Sequence, residues 1–367
     1  MKGAGGAGRW IRPEIRELAA YHVAEAGRYA KLDAMENPYP WPASLPPALV
    51  RQWQERLAEL ELNRYPDPAA PELVRGLRRY MAIPADAAVL LGNGSDELIQ
   101  LLLMGVAGEG RRVLVPSPGF SMYAMISRFV GLPCHQVPLR PTDFSLDVDA
   151  MLEVIDREQP AVVLLAYPNN PTGNLFREQD VERILDAAPG LVVIDEAYYP
   201  FARASFMDRL RRWPDLLILR TVSKLGLAGL RLGMLVGSGD WLGEIDKIRL
   251  PYNISALTQA TAAFALEHPA TLDEQAERIR HDRDRLYRQL AARDQLEVWP
   301  SAANFLLLRC PSGRAGSIHR SLFRSGVLVK NLHGSHPLLH DCLRVTVGTP
   351  EENARFLEAL DRALGGD

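Results

Sequence analysis

The chain has 367 residues, of which 47% are hydrophobic and 24% are charged, and its formal net charge is −3. This length allows a large core and about two domains. The near balance of charge gives no basic footprint of the kind that binds nucleic acids or anionic membranes, which argues against those partners. The three cysteines lack paired spacing, which predicts neither a disulfide framework nor a zinc framework. The start lacks the apolar core of a signal peptide, and no apolar run approaches the ~18 residues of a membrane span. We therefore predict a cytoplasmic protein.

The first 45 residues predict an extended arm rather than a domain. They are rich in glycine and then in proline, with one short helical stretch around Pro13 to Ala20 and an extended turn at Asn37 to Pro40. From the residues alone, the arm either covers a site or only connects domains. Apolar spacing from Pro47 to Leu62 predicts an amphipathic helix that the sequence NRYPDP ends, and Tyr65 in that proline turn is by itself most simply a packing residue.

Two turns in the next part of the chain follow apolar runs. Leu90 to Leu103 reads LLGNGSDELIQLLL, and the backbone N–H groups at the start of its helix suit a phosphate. An ordinary serine N-cap with acids in the first turn explains the same residues without a ligand. Arg112 to Tyr123 predicts a strand and then the turn SPGF, where Phe120 either packs in the core or stacks on a flat ring.

Three apolar runs then end in polar residues. They read AVVLLAYPNNPTG, LVVIDEAY and LILRTVSKLGLAGLRLG, and they predict parallel strands that deliver Asn170, Asp195 and Lys224. In open α/β sheets, ligands bind beyond the carboxyl ends of the strands. We therefore expect these three side chains to converge on one pocket.

The converging groups have the chemistry that pyridoxal phosphate (PLP) requires. Burial lowers the pKa of a lysine, so that its neutral amine can join an aldehyde and later carry protons. A carboxylate can hold the pyridine nitrogen protonated, and Asn170 with Tyr198 can hydrogen-bond the ring hydroxyl. For Lys224 alone, a strand-end lysine that reaches to water is an equal explanation, but the set of groups favours the cofactor.

From about Ser255 the pattern changes and predicts a second, smaller α+β domain. The predicted elements are helices over Ser255 to Glu267 and Thr271 to Arg293, and strands at Asn304 to Arg309, Val327 to Lys330 and Leu343 to Val347. A final helix begins at Thr349-Pro350-Glu351-Glu352, where an N-cap, a proline at the first position and a glutamate at the third are in place.

A histidine-rich stretch before the last strand invites a metal interpretation. His333, His336, His340 and Cys342 lie close together in the sequence. Glycine and proline in this stretch break the helix that ligands at positions i and i+4 need, so we predict no metal site here.

The order of these motifs resembles the fold type I PLP-dependent aminotransferases, and most closely the histidinol-phosphate aminotransferases. PNNPTG, DEAY and TVSK with the arginine of GLRLG are joined by KLDAMENPYP, NRYPDP, GNGSDE, SPGFSMY, SAANF and LRVTVGTPEEN in the order of that family. The resemblance implies an α/β fold with a mostly parallel central sheet flanked by helices in a large domain, plus a smaller α+β domain. We place an N-terminal arm at residues 1–45, the large PLP-binding domain at 46–254 and the small domain at 255–367.

The resemblance also implies roles for single residues. Lys224 is expected to carry the cofactor and move protons, with Asp195 and Tyr198 as the other catalytic residues. The other expected cofactor contacts are Asn170, Thr221, Ser223, Arg231, Gly94, Ser95, Asp96, a stacking Phe120, and Tyr65 from the second subunit of a homodimer. Arg231 follows the lysine by seven positions where many members have eight, which predicts a tighter turn.

The expected substrate contacts are Arg344, Lys330, Asn170 and Asn37, and the first two suit an anionic substrate. An ordinary surface lysine is the alternative for Lys330. The reaction that the resemblance implies is transfer of the amino group of L-histidinol phosphate to 2-oxoglutarate. Cofactor residues do not distinguish it from an aromatic amino-acid aminotransferase or a phosphothreonine-type decarboxylase of the same fold. A non-catalytic PLP-sensing module is a more remote alternative, and no DNA-binding motif in the sequence supports it.

Overall fold

The computed structural model describes residues 10–18, 27 and 29–365. The predicted arm at residues 1–45 is therefore described only in part, and the end of its predicted helix lies outside the described residues. The strands are β1 (Ala30–Leu32), β2 (Ala88–Gly92), β3 (Val113–Ser117), β4 (Cys134–Pro138), β5 (Val162–Ala166), β6 (Leu191–Asp195), β7 (Leu216–Thr221), β8 (Gly233–Gly237), β9 (Glu297–Val298), β10 (Phe305–Arg309), β11 (Val327–Asn331) and β12 (Cys342–Thr346).

Helices connect most of these strands. Numbered along the described residues, they are α1 (Pro13–Arg16), α2 (Pro47–Ala58), α3 (Pro71–Tyr80), α4 (Ser95–Val106), α5 (Ser121–Val130), α6 (Val148–Glu158), α7 (Glu178–Ala187), α8 (Tyr199–Ala202), α9 (Gly239–Asp246), α10 (Ala256–Glu267), α11 (Ala270–Ala291), α12 (Ala315–Arg324) and α13 (Pro350–Gly365). None of the helices in the described residues has both the length and the apolar character needed to cross a membrane.

The larger sheet has seven strands in the order β2-β8-β7-β6-β5-β3-β4. β8 runs antiparallel to both of its neighbours, whereas the pairs from β7 to β4 are parallel. This confirms the prediction of a mostly parallel central sheet. Because parallel neighbours end at the same edge, the residues that follow β5, β6 and β7 lie side by side.

Both faces of the larger sheet are buried, as its continuous apolar strands predict. Along β7, Leu216 and Ile218 pack into the core on one face, and Leu217 and Leu219 pack into the core on the other. Helices α3, α6, α7 and α10 contribute to the first of these cores, and helices α4, α5 and α9 contribute to the second. The helices therefore flank the sheet on both sides and fix the positions of its strand ends.

The smaller sheet has the order β1-β11-β12-β10-β9. It packs with α12 and α13 around a separate core that includes Leu308, Val329, Val345 and Phe356. The predicted start of α13 is confirmed by a reciprocal cap, in which the Thr349 N–H donates to Glu352 and the Glu352 N–H donates to Thr349.

The edge strand β1 of the smaller sheet comes from the predicted arm. It pairs parallel with β11, with Ala30 opposite Val327 and Leu32 opposite Val329. A small cluster that includes Tyr198, Phe201, Phe305 and Val347 joins the two sheets. The described part of the arm thus contributes a strand to the small domain, and the boundaries proposed at residues 45 and 254 stay predictions.

Candidate active site

Three strand ends form the candidate site. Asp195 is the last residue of β6, and it is paired with Ala166 at the end of β5 and with Leu219 near the end of β7. Asn170 and Lys224 follow these two neighbouring strands. All three line one cavity of about 110 Å³, as the sequence predicts. Its lining residues are Met35, Ser95, Asp96, Phe120, Ala166, Asn170, Asp195, Ala197, Tyr198, Thr221, Ser223, Lys224 and Arg231.

Lys224 lies in a wide helical turn over Ser223–Leu227. Gly226 makes this turn possible because its φ of 127° is accessible to glycine and strained for other residues. The Lys224 amine lies 3.4 Å from the carbonyl oxygen of Ala34. Burial, followed by the positive charge of Arg344, lowers the pKa of Lys224 from 10.5 to about 8. A large fraction of the amine is therefore neutral at mildly alkaline pH.

Asn37 packs against the lysine turn. Its side-chain amide donates to the carbonyl oxygen of Leu225 at 3.1 Å and to Gln275 at 2.9 Å. A side chain at Gly226 would meet the Asn37 amide nitrogen at 2.9 Å, which also requires glycine at that position. Asn37 therefore ties the described part of the arm to the turn that carries Lys224.

Asp195 is buried, with a relative exposure of 5%. One carboxylate oxygen accepts a hydrogen bond from the Tyr123 hydroxyl at 2.8 Å, and the other accepts one from the Ala197 N–H at 3.0 Å. Burial raises the pKa of Asp195 to about 6, and these two hydrogen bonds oppose the rise. A cation next to this carboxylate would offset the cost of its burial.

Sequence reasoning missed Tyr123 as a site residue. It lies within the SPGFSMY motif, on the first turn of α5, and it is buried in the core with 2% exposure. A buried tyrosine on an apolar helix face reads as a core residue. The available signal was its phenol, because a buried hydroxyl group needs a hydrogen-bond partner.

A chain of hydrogen bonds links the two sheets across the site. The Asn170 amide donates to the Tyr198 hydroxyl at 3.0 Å, and the Arg344 guanidinium donates to the Asn170 oxygen at 2.5 Å. Arg344 also donates to the carbonyl oxygen of Asp33 at 3.1 Å. Burial raises the pKa of Tyr198 above its ordinary value, so its hydroxyl remains protonated. These contacts fix the orientation of the amide and of the phenol.

The start of α4 and Arg231 form a cradle at the other end of the cavity. Gly94 precedes the helix with φ 83°, and a Cβ atom there would lie 2.5 Å from the Arg231 guanidinium. The Ser223 and Thr221 hydroxyl groups are 2.8 Å apart beside it. Helix N–H groups, hydroxyl groups and a guanidinium are together suited to phosphate oxygens.

The structure bears on two sequence-based interpretations of this cradle. Ser95 is the first helical residue and Gly94 is the N-cap, so the serine-cap explanation is wrong. Between Lys224 and Arg231 the chain passes through the wide turn and a 3-10 turn over Ala228–Leu230, and Arg231 takes a left-handed conformation with φ 49°. The 3-10 turn is the tighter part of this path, and the path brings Arg231 to the cradle with the seven-residue spacing.

Asp96 stands out among the residues of the cradle. Burial raises the pKa of its carboxyl group, and the charges of Arg231 and Lys224 oppose the rise. One of its carboxylate oxygens is buried and has no hydrogen-bond partner among the described residues. Such an oxygen is expected where a further polar group belongs.

A second cavity of about 480 Å³ adjoins the first and shares Met35, Phe120 and Asn170 with it. Lys330 and Arg344 both line it. They are directly paired across β11 and β12, so their side chains stand next to each other on one face of the smaller sheet. The pair therefore presents two positive charges to a ligand in this cavity.

Tyr65 lies outside both cavities. Its side chain is 81% exposed, and its ring stacks on Tyr252 with the centroids 4.5 Å apart. Within one subunit, Tyr65 does not line the cavity around Lys224. Phe120, by contrast, lines both cavities and packs edge-to-face on Tyr123.

Comparison with known proteins identifies the family to which this chain belongs. Residues 28–360 match the family Aminotransferase class I and II. The chain belongs to this family. The aminotransferase is 54% identical to histidinol-phosphate aminotransferase 2 of Nitrosococcus oceani over 352 residues, which are 96% of each chain. It is 50% identical to histidinol-phosphate aminotransferase of Chromobacterium violaceum over 96% of this chain and 97% of the relative.

Solved structures agree with this fold. The aminotransferase superimposes on histidinol-phosphate aminotransferase from Sinorhizobium meliloti in complex with pyridoxal-5′-phosphate, with a TM-score of 0.84 and 26% identity over 97% of this chain and 98% of that one. Family and neighbour confirm the predicted fold class and PLP as the cofactor. The buried amine of Lys224, the buried carboxylate of Asp195 and the cradle at Gly94, which a Cβ atom would fill, fit such a group at this site.

Proposed function

We propose that this aminotransferase catalyses the PLP-dependent transfer of the amino group of L-histidinol phosphate to 2-oxoglutarate, which yields imidazole-acetol phosphate and L-glutamate in histidine biosynthesis. The relatives named histidinol-phosphate aminotransferase support this reaction, since they match nearly the whole chain at about half identity. The observation in the structure that carries it is the Lys330–Arg344 pair next to the Lys224 cavity, because two cations suit a substrate that presents a phosphate.

The proposed cofactor contacts follow from the donor groups of the cavity. Lys224 is suited to the aldehyde, Asp195 to the pyridine nitrogen, and Asn170 with Tyr198 to the ring hydroxyl. Phe120 is suited to stack on the ring. The phosphate is assigned to the cradle, whose members are Gly94, Ser95, Asp96, Thr221, Ser223 and Arg231.

When bound, PLP supplies an aldehyde for amines and a protonated ring that withdraws electrons from the substrate. Lys224 would provide the amine that attaches the cofactor, and in its free form the same amine would take the proton from the substrate Cα atom. Its lowered pKa suits both tasks, because a base that works near neutral pH needs a pKa close to that pH. Asp195 holds the proton of the pyridine nitrogen by its negative charge, and Tyr123 fixes the orientation of its carboxylate.

Arg344 is proposed to serve both halves of the reaction. Its planar guanidinium suits the carboxylate of glutamate and also a phosphate. The charge of Lys330 is needed only for the phosphorylated substrate. Asn37, the remaining expected substrate contact, lines neither of the two cavities and its amide contacts the lysine turn, so its contact with substrate stays a prediction. The arrangement therefore accepts two different anions in turn at one cavity.

We further propose a cytoplasmic homodimer in which Tyr65 reaches the cofactor phosphate of the neighbouring subunit. Tyr65 and Tyr252 are exposed aromatic residues stacked on each other, and Leu62, Leu250 and Leu257 are exposed as well. Exposed apolar groups of this kind mark surfaces that bind other proteins. The free cysteines Cys134, Cys310 and Cys342 suit a reducing compartment.

The test is a single half-reaction of the PLP-loaded enzyme with L-histidinol phosphate and, separately, with L-phenylalanine. Conversion of the cofactor to its amine form is followed by absorbance. We expect fast conversion with histidinol phosphate alone. Lys330→Ala should weaken the apparent affinity for histidinol phosphate about tenfold, the size of a lost contact worth about 1.4 kcal/mol. Lys247→Ala removes an exposed lysine that pairs with Glu244, and it is the matched control.

The other outcomes separate the alternatives. Conversion only with phenylalanine would move the enzyme to the aromatic aminotransferases and leave Lys330 an ordinary surface residue. Release of carbon dioxide from O-phosphothreonine without conversion of either amine would favour the decarboxylase. A cofactor that binds but does not turn over with any amine would favour the sensing module.

A further inference from the structure

The loop between β11 and β12 (residues 332–341) brings together three groups that can bind a metal ion. One ligand atom each of His333, His340 and Asp341 lies within 4.8 Å of the other two. The imidazole centroids of the two histidines are 4.5 Å apart. Nδ1 of His333 lies 3.4 Å from one carboxylate oxygen of Asp341, and Nδ1 of His340 lies 3.0 Å from the other.

The carboxylate at the base of this cluster is held in place. Asp341 is buried, with 4% side-chain exposure, whereas the side chains of His333 and His340 are 39% and 66% exposed. One of its oxygens accepts a hydrogen bond from the Gly313 N–H at 2.8 Å, and the other lies 3.4 Å from the Ala315 N–H at the start of α12. Ligands oriented by backbone groups in this way are typical of metal sites.

We propose that this cluster binds a divalent transition metal of the zinc class. Two imidazoles and one carboxylate suit zinc, cobalt, nickel or copper better than magnesium or calcium, which prefer oxygen ligands. Ligands around a tetrahedral zinc lie roughly 3.4 Å apart when the bonds are about 2.0–2.1 Å. The His333 and Asp341 atoms already have this separation, and the exposed His340 ring can rotate to complete the set. A fourth position remains for water.

The ligands come from a loop, which is why helical spacing does not predict them. The loop contains a short 3-10 turn over Pro337–Leu339 in place of an α-helix, and Gly334 has a φ of 82°, so the chain folds back and residues 333 and 340 meet. The Asp341 N–H donates to Nδ1 of His333 at 3.0 Å, and an ion at this nitrogen replaces that hydrogen bond.

The position of the site gives the ion a consequence for the enzyme. The same loop lines the larger cavity through Leu332, Ser335, His336 and Leu339, between the strands that carry Lys330 and Arg344. A bound ion joins the two ends of the loop and restricts its motion. The proposed metal therefore stiffens one wall of the cavity without contacting the Lys224 site.

The test uses the PLP-loaded enzyme after treatment with a chelator, titrated with zinc chloride in a calorimeter. We expect one zinc ion per subunit in the strongest phase, and at least about tenfold weaker binding in His333→Gln and in His340→Gln because each loses one of three protein ligands. His281→Gln is the matched control, since His281 is exposed and pairs with Glu277 at 3.3 Å outside the cluster. His340 is well exposed, so its variant is expected to fold.

Hydrogen exchange of residues 332–341 gives a second readout that does not depend on catalytic activity. Zinc should slow exchange there in the wild type and in His281→Gln, and should leave it unchanged in His340→Gln. Equal zinc binding in all four proteins would mean adventitious binding elsewhere and would overturn the site. Loss of binding in the two variants without any change in wild-type exchange would overturn the stiffening of the cavity wall.

Discussion

Lys224 and Asp195 show how burial tunes the two charged groups at the centre of the site. Removal from water disfavours charge, so the pKa of the amine falls to about 8 and that of the carboxyl rises to about 6. Both groups then change protonation within a few pH units of neutrality. The hydrogen bonds from Tyr123 and the Ala197 N–H limit the rise for Asp195 because they stabilise its carboxylate. The positive charge of Arg344 acts in the opposite sense and increases the fall for Lys224.

The lowered pKa of Lys224 predicts how the apoenzyme takes up PLP as pH changes. Only the neutral amine can attack the aldehyde, so the rate constant for attachment should rise about tenfold per pH unit below about 8 and level off above it. Stopped-flow absorbance at a series of pH values measures this profile. Lys224→Ala should show no attachment at any pH, and a midpoint near the ordinary 10.5 would show that the folded protein does not depress the pKa.

Among the elements, the strand–turn–helix unit of β2 and α4 depends on one glycine. Gly94 combines φ 83° with ψ 171°, a conformation that costs other residues about 1–3 kcal/mol, and its α carbon lies against the Arg231 guanidinium. The unit therefore places the helix start and the arginine together only when position 94 has no side chain.

Gly94→Ala should lower both stability and cofactor affinity. We expect a loss of about 1–3 kcal/mol in the free energy of unfolding, from the backbone strain, and at least about tenfold weaker PLP binding because Arg231 is displaced from the cradle. Denaturant unfolding and fluorescence titration with PLP measure the two effects. Gly243→Ala is the control, since nothing lies within 4 Å of a Cβ atom there. Wild-type PLP affinity in Gly94→Ala would show that the cradle does not hold the phosphate.

Sequence patterns predicted most of this site because neighbouring parallel strands end at the same edge of a sheet. Asn170, Asp195 and Lys224 each follow a continuous apolar run, and the parallel register places them together. The side-by-side position of Lys330 and Arg344 depends instead on the antiparallel register of β11 and β12, which no local pattern fixes. Tyr123 was missed because its helix face is apolar, and the contact to Asp195 exists only in three dimensions.

A buried glutamate–arginine pair behind the site was also missed by the sequence analysis. Glu196 and Arg220 are both buried, and Arg220 donates to Glu196 at 2.9 Å on the side of the strands that faces away from the cofactor groups. Neighbouring residues of a strand point to opposite faces, so Asp195 and Thr221 face the cofactor cavity while Glu196 and Arg220 face away from it. Their alternation is visible in the sequence, but the contact between Glu196, which follows β6, and Arg220 on β7 is not.

At the scale of the whole molecule, the proposed homodimer can be tested through Tyr65. Tyr65→Phe keeps the ring that stacks on Tyr252 and removes only the hydroxyl. If this hydroxyl binds the cofactor phosphate across the interface, PLP affinity should fall about tenfold while the sedimentation coefficient stays that of a dimer. Tyr29→Phe is the control, because Tyr29 also stacks on an aromatic ring, that of Phe323. Unchanged PLP affinity, or a monomer in the wild type, would return Tyr65 to a packing role.

The pairing of β1 with β11 has a consequence for folding during synthesis on the ribosome. Ala30 is opposite Val327, so β1 cannot pair until its partner strand is synthesised about 300 residues later. At roughly 5–20 residues per second this delay is roughly 15–60 s. The larger sheet can form from strands already made, but the segment at Asp33 and Ala34, which touches Arg344 and Lys224, cannot be held by its neighbouring strand until then. The nascent chain should therefore acquire its cofactor-binding strands well before it acquires a closed active site.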